Sequence, residues 1–205
     1  AISSNNVAMA RILLKHHKPT YKYSDDNNIR SPLVYAAKSY LKYPTSLEMI
    51  ELIMSHFQCD SKEILKALSL SMPNPNLFRF LLEKMPHNAL LDSDILSKAV
   101  VLESSTAIED ILDAISRAHD LRSQLLSQVE ENKASAISLR GKNGNHESFE
   151  EFRMKQPDYT DIEHRSFNAA CSRVLIDAFM IADQIESTTN RDKILAFIKK
   201  MFPNE

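Results

Sequence analysis

The sequence predicts an all-α protein, a stacked array of helical repeats closed by a C-terminal helical unit. Two observations predict it. Apolar residues recur at i, i+3 and i+4 in four places: Met9-Ile12-Leu13, Met49-Leu52-Ile53, Leu77-Phe80-Leu81 and Ile108-Ile111-Leu112. That spacing forms one stripe on a helix of 3.6 residues per turn, and the copies lie 40, 28 and 31 residues apart, a period typical of helical repeat arrays. A shorter apolar helix with a central alanine also precedes three of the stripes, in Leu33-Val34-Tyr35-Ala36, Ile64-Leu65-Lys66-Ala67 and Leu96-Ser97-Lys98-Ala99. An alanine there lets one helix backbone approach the next. Each repeat is therefore expected to be a helix, a turn and a second helix.

Start signals support the elements in order. Asn5 or Asn6 can cap the first stripe. Thr45-Ser46-Leu47-Glu48 and Thr106-Ala107-Ile108-Glu109 read as capping boxes, a hydroxyl and a carboxylate each satisfying an orphan amide. Asn74-Pro75 places a cap before a proline at the first helical position. From Ala36 to Met49 there are 13 residues, against 10 and 9 in the next two repeats, which predicts a lengthened helix or loop over Ser39 to Pro44.

These residues carry a resemblance. Arg30-Ser31-Pro32-Leu33-Val34-Tyr35-Ala36-Ala37 resembles the ankyrin signature Thr-Pro-Leu-His-x-Ala-Ala. Leu47 to Met54 and Val7 to Leu14 resemble the second ankyrin helix, as does Phe78-Arg79-Phe80-Leu81-Leu82. The likeness covers about residues 1 to 118, with one good repeat and three degenerate ones. It implies that proline opens the first helix, that the small pair packs on the next repeat, and that the function is protein binding. The family's turn glycines are absent, and the later repeats lack Thr-Pro-Leu. Such glycine-poor arrays are similar to those in effector proteins of intracellular bacteria, which act inside the host cell on host proteins.

Residues 1–120 thus read as an array of about four repeats, and 121–205 as a C-terminal extension. Leu121, Leu125, Val129 and Ala136 continue a helix to about Leu139, and 140–161 reads as an exposed loop. Phe167, Cys171, Val174, Leu175, Ala178, Ala182 and Ile185 line one face of a further helix. Ile194 to Phe202 fill a last one, with Thr189 or Asn190 as its cap. A solenoid exposes an apolar end, and these helices are expected to cover it.

Composition narrows the function classes. The chain has 205 residues, 25 cations and 27 acids, for a net charge of −2, whereas nucleic-acid binding normally shows as a basic excess. No apolar run approaches the ~20 residues of a membrane-spanning helix. The chain begins as if inside a repeat, without Met or a signal layout, so a longer parent protein is expected. Cys59 and Cys171 form no CxxC pair and predict a reducing, cytoplasmic compartment.

The strongest functional signal is a cluster of tyrosines and cations. Five of six tyrosines fall between Tyr21 and Tyr43, and residues 1–44 carry seven cations against two acids. Tyr21, Tyr23, Tyr40 and Tyr43 are the expected anchors of a protein partner, and Arg30, Lys38 and Lys42 select an acidic one. Tyr35, beside Ala36, is expected to pack between repeats. Glu103, Glu109, Asp110, Asp113 and Asp120 make the other end acidic.

No cofactor or metal is expected. His16, His17, His56 and Cys59 lack the paired ligand spacing of a zinc site. His164 and Cys171 share a helix face two turns apart, about 10 Å, too far for a base to touch its nucleophile. Arg140-Gly141-Lys142-Asn143-Gly144 matches a GxxG nucleic-acid loop but lacks the flanking strands. The alternatives are an accessory domain packing on an enzyme domain of the same protein, and a Cys/His enzyme.

Overall fold

The structure, a computed structural model, describes residues 6–16, 31–43, 47–141 and 159–202. Among them there are ten helices and no strand. They are α1 (Val7–His16), α2 (Pro32–Lys42), α3 (Glu48–His56), α4 (Ser61–Ser71), α5 (Pro75–Lys84), α6 (His87–Leu91), α7 (Ile95–Val101), α8 (Ser105–Gly141), α9 (Tyr159–Gln184) and α10 (Thr188–Met201). None is long and apolar enough to cross a membrane.

Packing arranges the helices in two rows. In the first, α2 lies on α4, α4 on α7, and α7 on α9. In the second, α1 lies on α3, while α5 lies on α8 and α8 on α10. Sequential partners join the rows as hairpins: α2 with α3, α4 with α5, α7 with α8, and α9 with α10. The short α6 packs against α8 and α9.

Local chemistry explains where the helices start. Ser31 Oγ accepts the Val34 amide at 3.1 Å and Pro32 opens α2. Asn74 Oδ1 accepts the Leu77 amide at 3.1 Å ahead of Pro75, and Asn6 Oδ1 accepts the Met9 amide at 2.9 Å. A full capping box, absent from the sequence reading, starts α4: Asp60 Oδ1 takes the Glu63 amide and Glu63 Oε2 takes the Asp60 amide. Part of the longer gap in the second repeat is helical, since α2 runs six residues past Ala36 while α4 runs four past Ala67 and α7 two past Ala99.

Two start sites differ from expectation. Thr106 lies inside α8, which begins at Ser105, and Glu109 turns instead to Lys193 of α10, whose ammonium also meets Ser105 Oγ. That contact holds the Glu109 carboxyl below the usual carboxylate range. Helix α10 starts at Thr188 after Ser187, with no side-chain cap. Thr45 and Ser46 lie outside the described residues.

The core runs the length of both rows. Ala36, Ala37, Ala67 and Ala99 are buried at the helix contacts of the first row. Three stripes are core: Met49, Leu52, Ile53, Leu77, Leu81, Ile108, Ile111 and Leu112 are buried, and Phe80 is half-buried against them. The first is not. Met9, Ile12 and Leu13 are all exposed, and only Ala10 of α1 is buried, because α1 packs chiefly on α3 through a different edge. In α9, Phe167, Cys171, Val174, Leu175, Ala178 and Ala182 are buried as the stripe predicts, but Ile185 past its end is exposed. Of the apolar residues in and just after α10 only Ile194 is buried, with Phe197, Ile198, Met201 and Phe202 half-buried.

Two hairpins share one turn. The Ser104 amide reaches Ala99 O at 3.0 Å and the Glu103 amide reaches Val100 O at 2.9 Å. Eighty-three residues on, Ser187 reaches Ala182 O at 2.9 Å and Glu186 reaches Asp183 O at 3.1 Å. Both glutamates have positive φ, 50° and 56°, in the Schellman pattern that glycine usually fills. The segments Leu102-Glu103-Ser104-Ser105-Thr106 and Ile185-Glu186-Ser187-Thr188-Thr189 are near copies. The α9–α10 hairpin therefore repeats the turn of α7–α8 and packs on both of its helices.

Candidate interaction surface

Helix α2 sorts its side chains by phase. Leu33, Val34, Ala36, Ala37 and Tyr40 face the core, so Tyr35, Lys38 and Lys42 at i, i+3 and i+7 share the opposite, exposed face. Two tyrosines exchange their expected places. Tyr40 is 8% exposed, since it follows Ala36 and Ala37 by four and three residues on the buried side. Tyr35, expected inside, is 47% exposed. Tyr43 is also exposed, and the Lys42 ammonium stands 5.2 Å from its ring centroid. Tyr21, Tyr23 and Arg30 lie outside the described residues. The structure thus brings Lys38, Lys42 and Tyr43 together with Tyr35, and removes Tyr40 to the core.

Charge also separates the middle helices of the two rows. Helices α2, α4 and α7 carry five lysines, Lys38, Lys42, Lys62, Lys66 and Lys98, all exposed. The sole acid within these helices is Glu63, which is buried in the α4 cap. In the other row, α3, α5 and residues 105–120 hold seven acids against Arg79, Lys84 and Arg117. The sequence reading missed Lys62 and Lys66. Their signal was periodic: Tyr35, Lys66 and Lys98 each stand immediately before the buried alanine of their repeat.

The remaining candidates separate. Among the described residues, no group of three His, Cys, Asp or Glu side chains is placed to hold a metal. Cys171 is fully buried, and burial pushes its thiol up to about 11 against a small opposing pull from Arg122. Cys59 is also raised to about 11, by burial and then by the nearby Glu63 and Asp60 carboxylates. Both shifts disfavour the thiolate near neutral pH. Gly141 ends α8, so the GxxG segment follows a helix, and Lys142 to Gly144 lie outside the described residues.

The face of α2, α4 and α7 can offer cations and aromatic area to a partner. Compared with protein-family models, with characterised proteins and with solved structures, the chain shows no significant match.

Proposed function

We propose that the chain is a protein-interaction module, an ankyrin-like stack of helical hairpins that presents its first row of helices to an acidic protein partner. One observation carries this reading: five exposed lysines on α2, α4 and α7, beside Tyr35 and Tyr43, with the only acid of those helices buried. The Ser31-Pro32 start, the buried alanines and the repeated turn support the ankyrin-like reading. A backbone held by helix packing loses little further freedom on binding, which favours affinity from a preformed surface.

Affinity capture from cell lysate, read by mass spectrometry, tests it. The baits are the intact chain and a variant with Lys38→Glu, Lys42→Glu and Tyr43→Ala, both verified as folded by circular dichroism. An acidic protein recovered only by the intact chain is the expected result. Equal recovery by both baits, or none above bare beads, contradicts the reading.

A second reading, packing on another domain of the same protein, is favoured by the exposed Met9, Ile12 and Leu13 of α1. It predicts that hydrogen exchange in α1 is slower in the parent protein than in this chain.

A further inference from the structure

The basic face of α2, α4 and α7 contains an apolar groove. It lies between the C-terminal turn of α4 and helix α7, and has walls of Ser69, Met72, Ser97, Lys98, Val101 and Leu102. Its volume is about 280 Å³, just under the roughly 300 Å³ at which pockets for small molecules begin. The space suits one large side chain better than a cofactor. Val101 and Leu102 are 58% and 60% exposed at its edge, and a patch of large apolar side chains rimmed by charge marks a contact surface.

Cations border the groove. Lys98 forms part of the wall and pairs with Asp94 at 2.9 Å, one turn earlier on its own chain. Lys66 stands one turn before Ser69 on α4, and no ion pair engages it among the described residues. Lys38 on α2, which packs on α4, is likewise exposed, with no ion pair among the described residues. Glu103, just past Leu102, is the acid at the far end.

We infer that this groove docks an acidic amphipathic helix of another protein, which seats one leucine-sized side chain between α4 and α7. Carboxylates one turn away on that helix meet Lys66 and Lys38. Charge complementarity and the size of the groove select this occupant. Carboxylates at i and i+3 or i+4 lie on the same helix face as the anchoring residue, so one face supplies both contacts. A phosphate backbone would leave Val101 and Leu102 uncovered, and helices α2, α4 and α7 carry lysines but no arginine to grip phosphate bidentately. The inference rests on the interaction reading above and adds the place and the chemistry of the contact.

The test is selection of phage-displayed random 16-residue peptides on the immobilised intact chain at 0.15 M salt. Selected peptides are expected to combine several acidic residues with one large apolar residue at helical spacing. Synthetic copies should lose at least tenfold in affinity on Val101→Asp and on Lys66→Glu, and stay within twofold on Glu51→Lys in the opposite row. All three positions are exposed, so the core is untouched, and thermal melts verify it. Binding should also weaken as salt rises from 0.05 to 0.5 M. The inference is overturned if nothing is enriched, if the peptides keep their affinity in both groove variants, or if a labelled 20-base-pair DNA duplex binds more tightly than any peptide. A lysate partner that ignores Val101→Asp and Lys66→Glu would overturn this inference alone and leave the interaction module standing.

Discussion

Arg79 Nε lies 2.9 Å from both carboxylate oxygens of Asp110, and the two residues hold the same place in successive copies of the stripe, two positions after Leu77 and Ile108. An ion pair thus joins α5 to α8 at the repeat register. Arg11, two positions after Met9, pairs similarly with Glu48 of α3 at 2.7 Å. Arg79 is about half exposed, so solvent screens the pair. A double-mutant cycle on Arg79→Ala and Asp110→Ala is expected to give a coupling of ~0.3–1 kcal/mol, read from urea denaturation. A coupling near zero would mean that the pair does not set the register.

The buried alanines are a sharper test of the stack. Ala67 and Ala99 have no exposed surface, and each sits where one first-row helix meets the next. Ala67→Leu is expected to destabilise the chain by ~1–3 kcal/mol through overpacking. Leu77→Ala should remove ~2–5 kcal/mol by leaving a cavity. Chemical denaturation measures both. An Ala67→Leu variant as stable as the parent would place α4 farther from its neighbours than the structure does.

The turns make a prediction of opposite sign. Glu103 and Glu186 occupy the left-handed region, which crowds Cβ against the backbone and which glycine enters freely. Glu103→Gly and Glu186→Gly are each expected to stabilise by ~0.5–1 kcal/mol, relief of strain outweighing the extra freedom of the unfolded chain. A loss of stability in both would show that the glutamate side chains themselves hold the turns.

Both thiols should be quiet. Raising a thiol from 9 to about 11 lowers its thiolate fraction near neutrality about a hundredfold. Iodoacetamide labelling followed by intact-mass spectrometry should therefore be slow in the native state and fast in urea. The folded state holds these protons more tightly than the unfolded one. Their contribution to stability is thus full below pH 9 and falls as pH rises towards about 11. Native labelling of Cys171 at the unfolded rate would contradict its burial.

Much of this fold was legible because stripe, cap and small-residue signals agreed, as at Asn74-Pro75 and at Ala67. What failed was information carried by neighbours. Met9, Ile12 and Leu13 have the same spacing as Met49, Leu52 and Ile53, and only the partners of α1 and α3 decide which set is covered. The exchange of Tyr35 and Tyr40 was readable from helix phase, since Tyr40 follows Ala36 by one turn. The repeated turn at 102–106 and 185–189 was also in the sequence, hidden by glutamate in the place where glycine is the usual marker. The opposite charge of α2, α4 and α7 against α3, α5 and the start of α8 required the packing order, because those helices alternate along the chain.

The most direct measurement is hydrogen–deuterium exchange of the intact chain, free and saturated with its captured partner. The account predicts slowed exchange in α2, α4 and α7, with the strongest effect at residues 66–72 and 97–102. Slowing confined to α3, α5 and α8, in the other row, would contradict it.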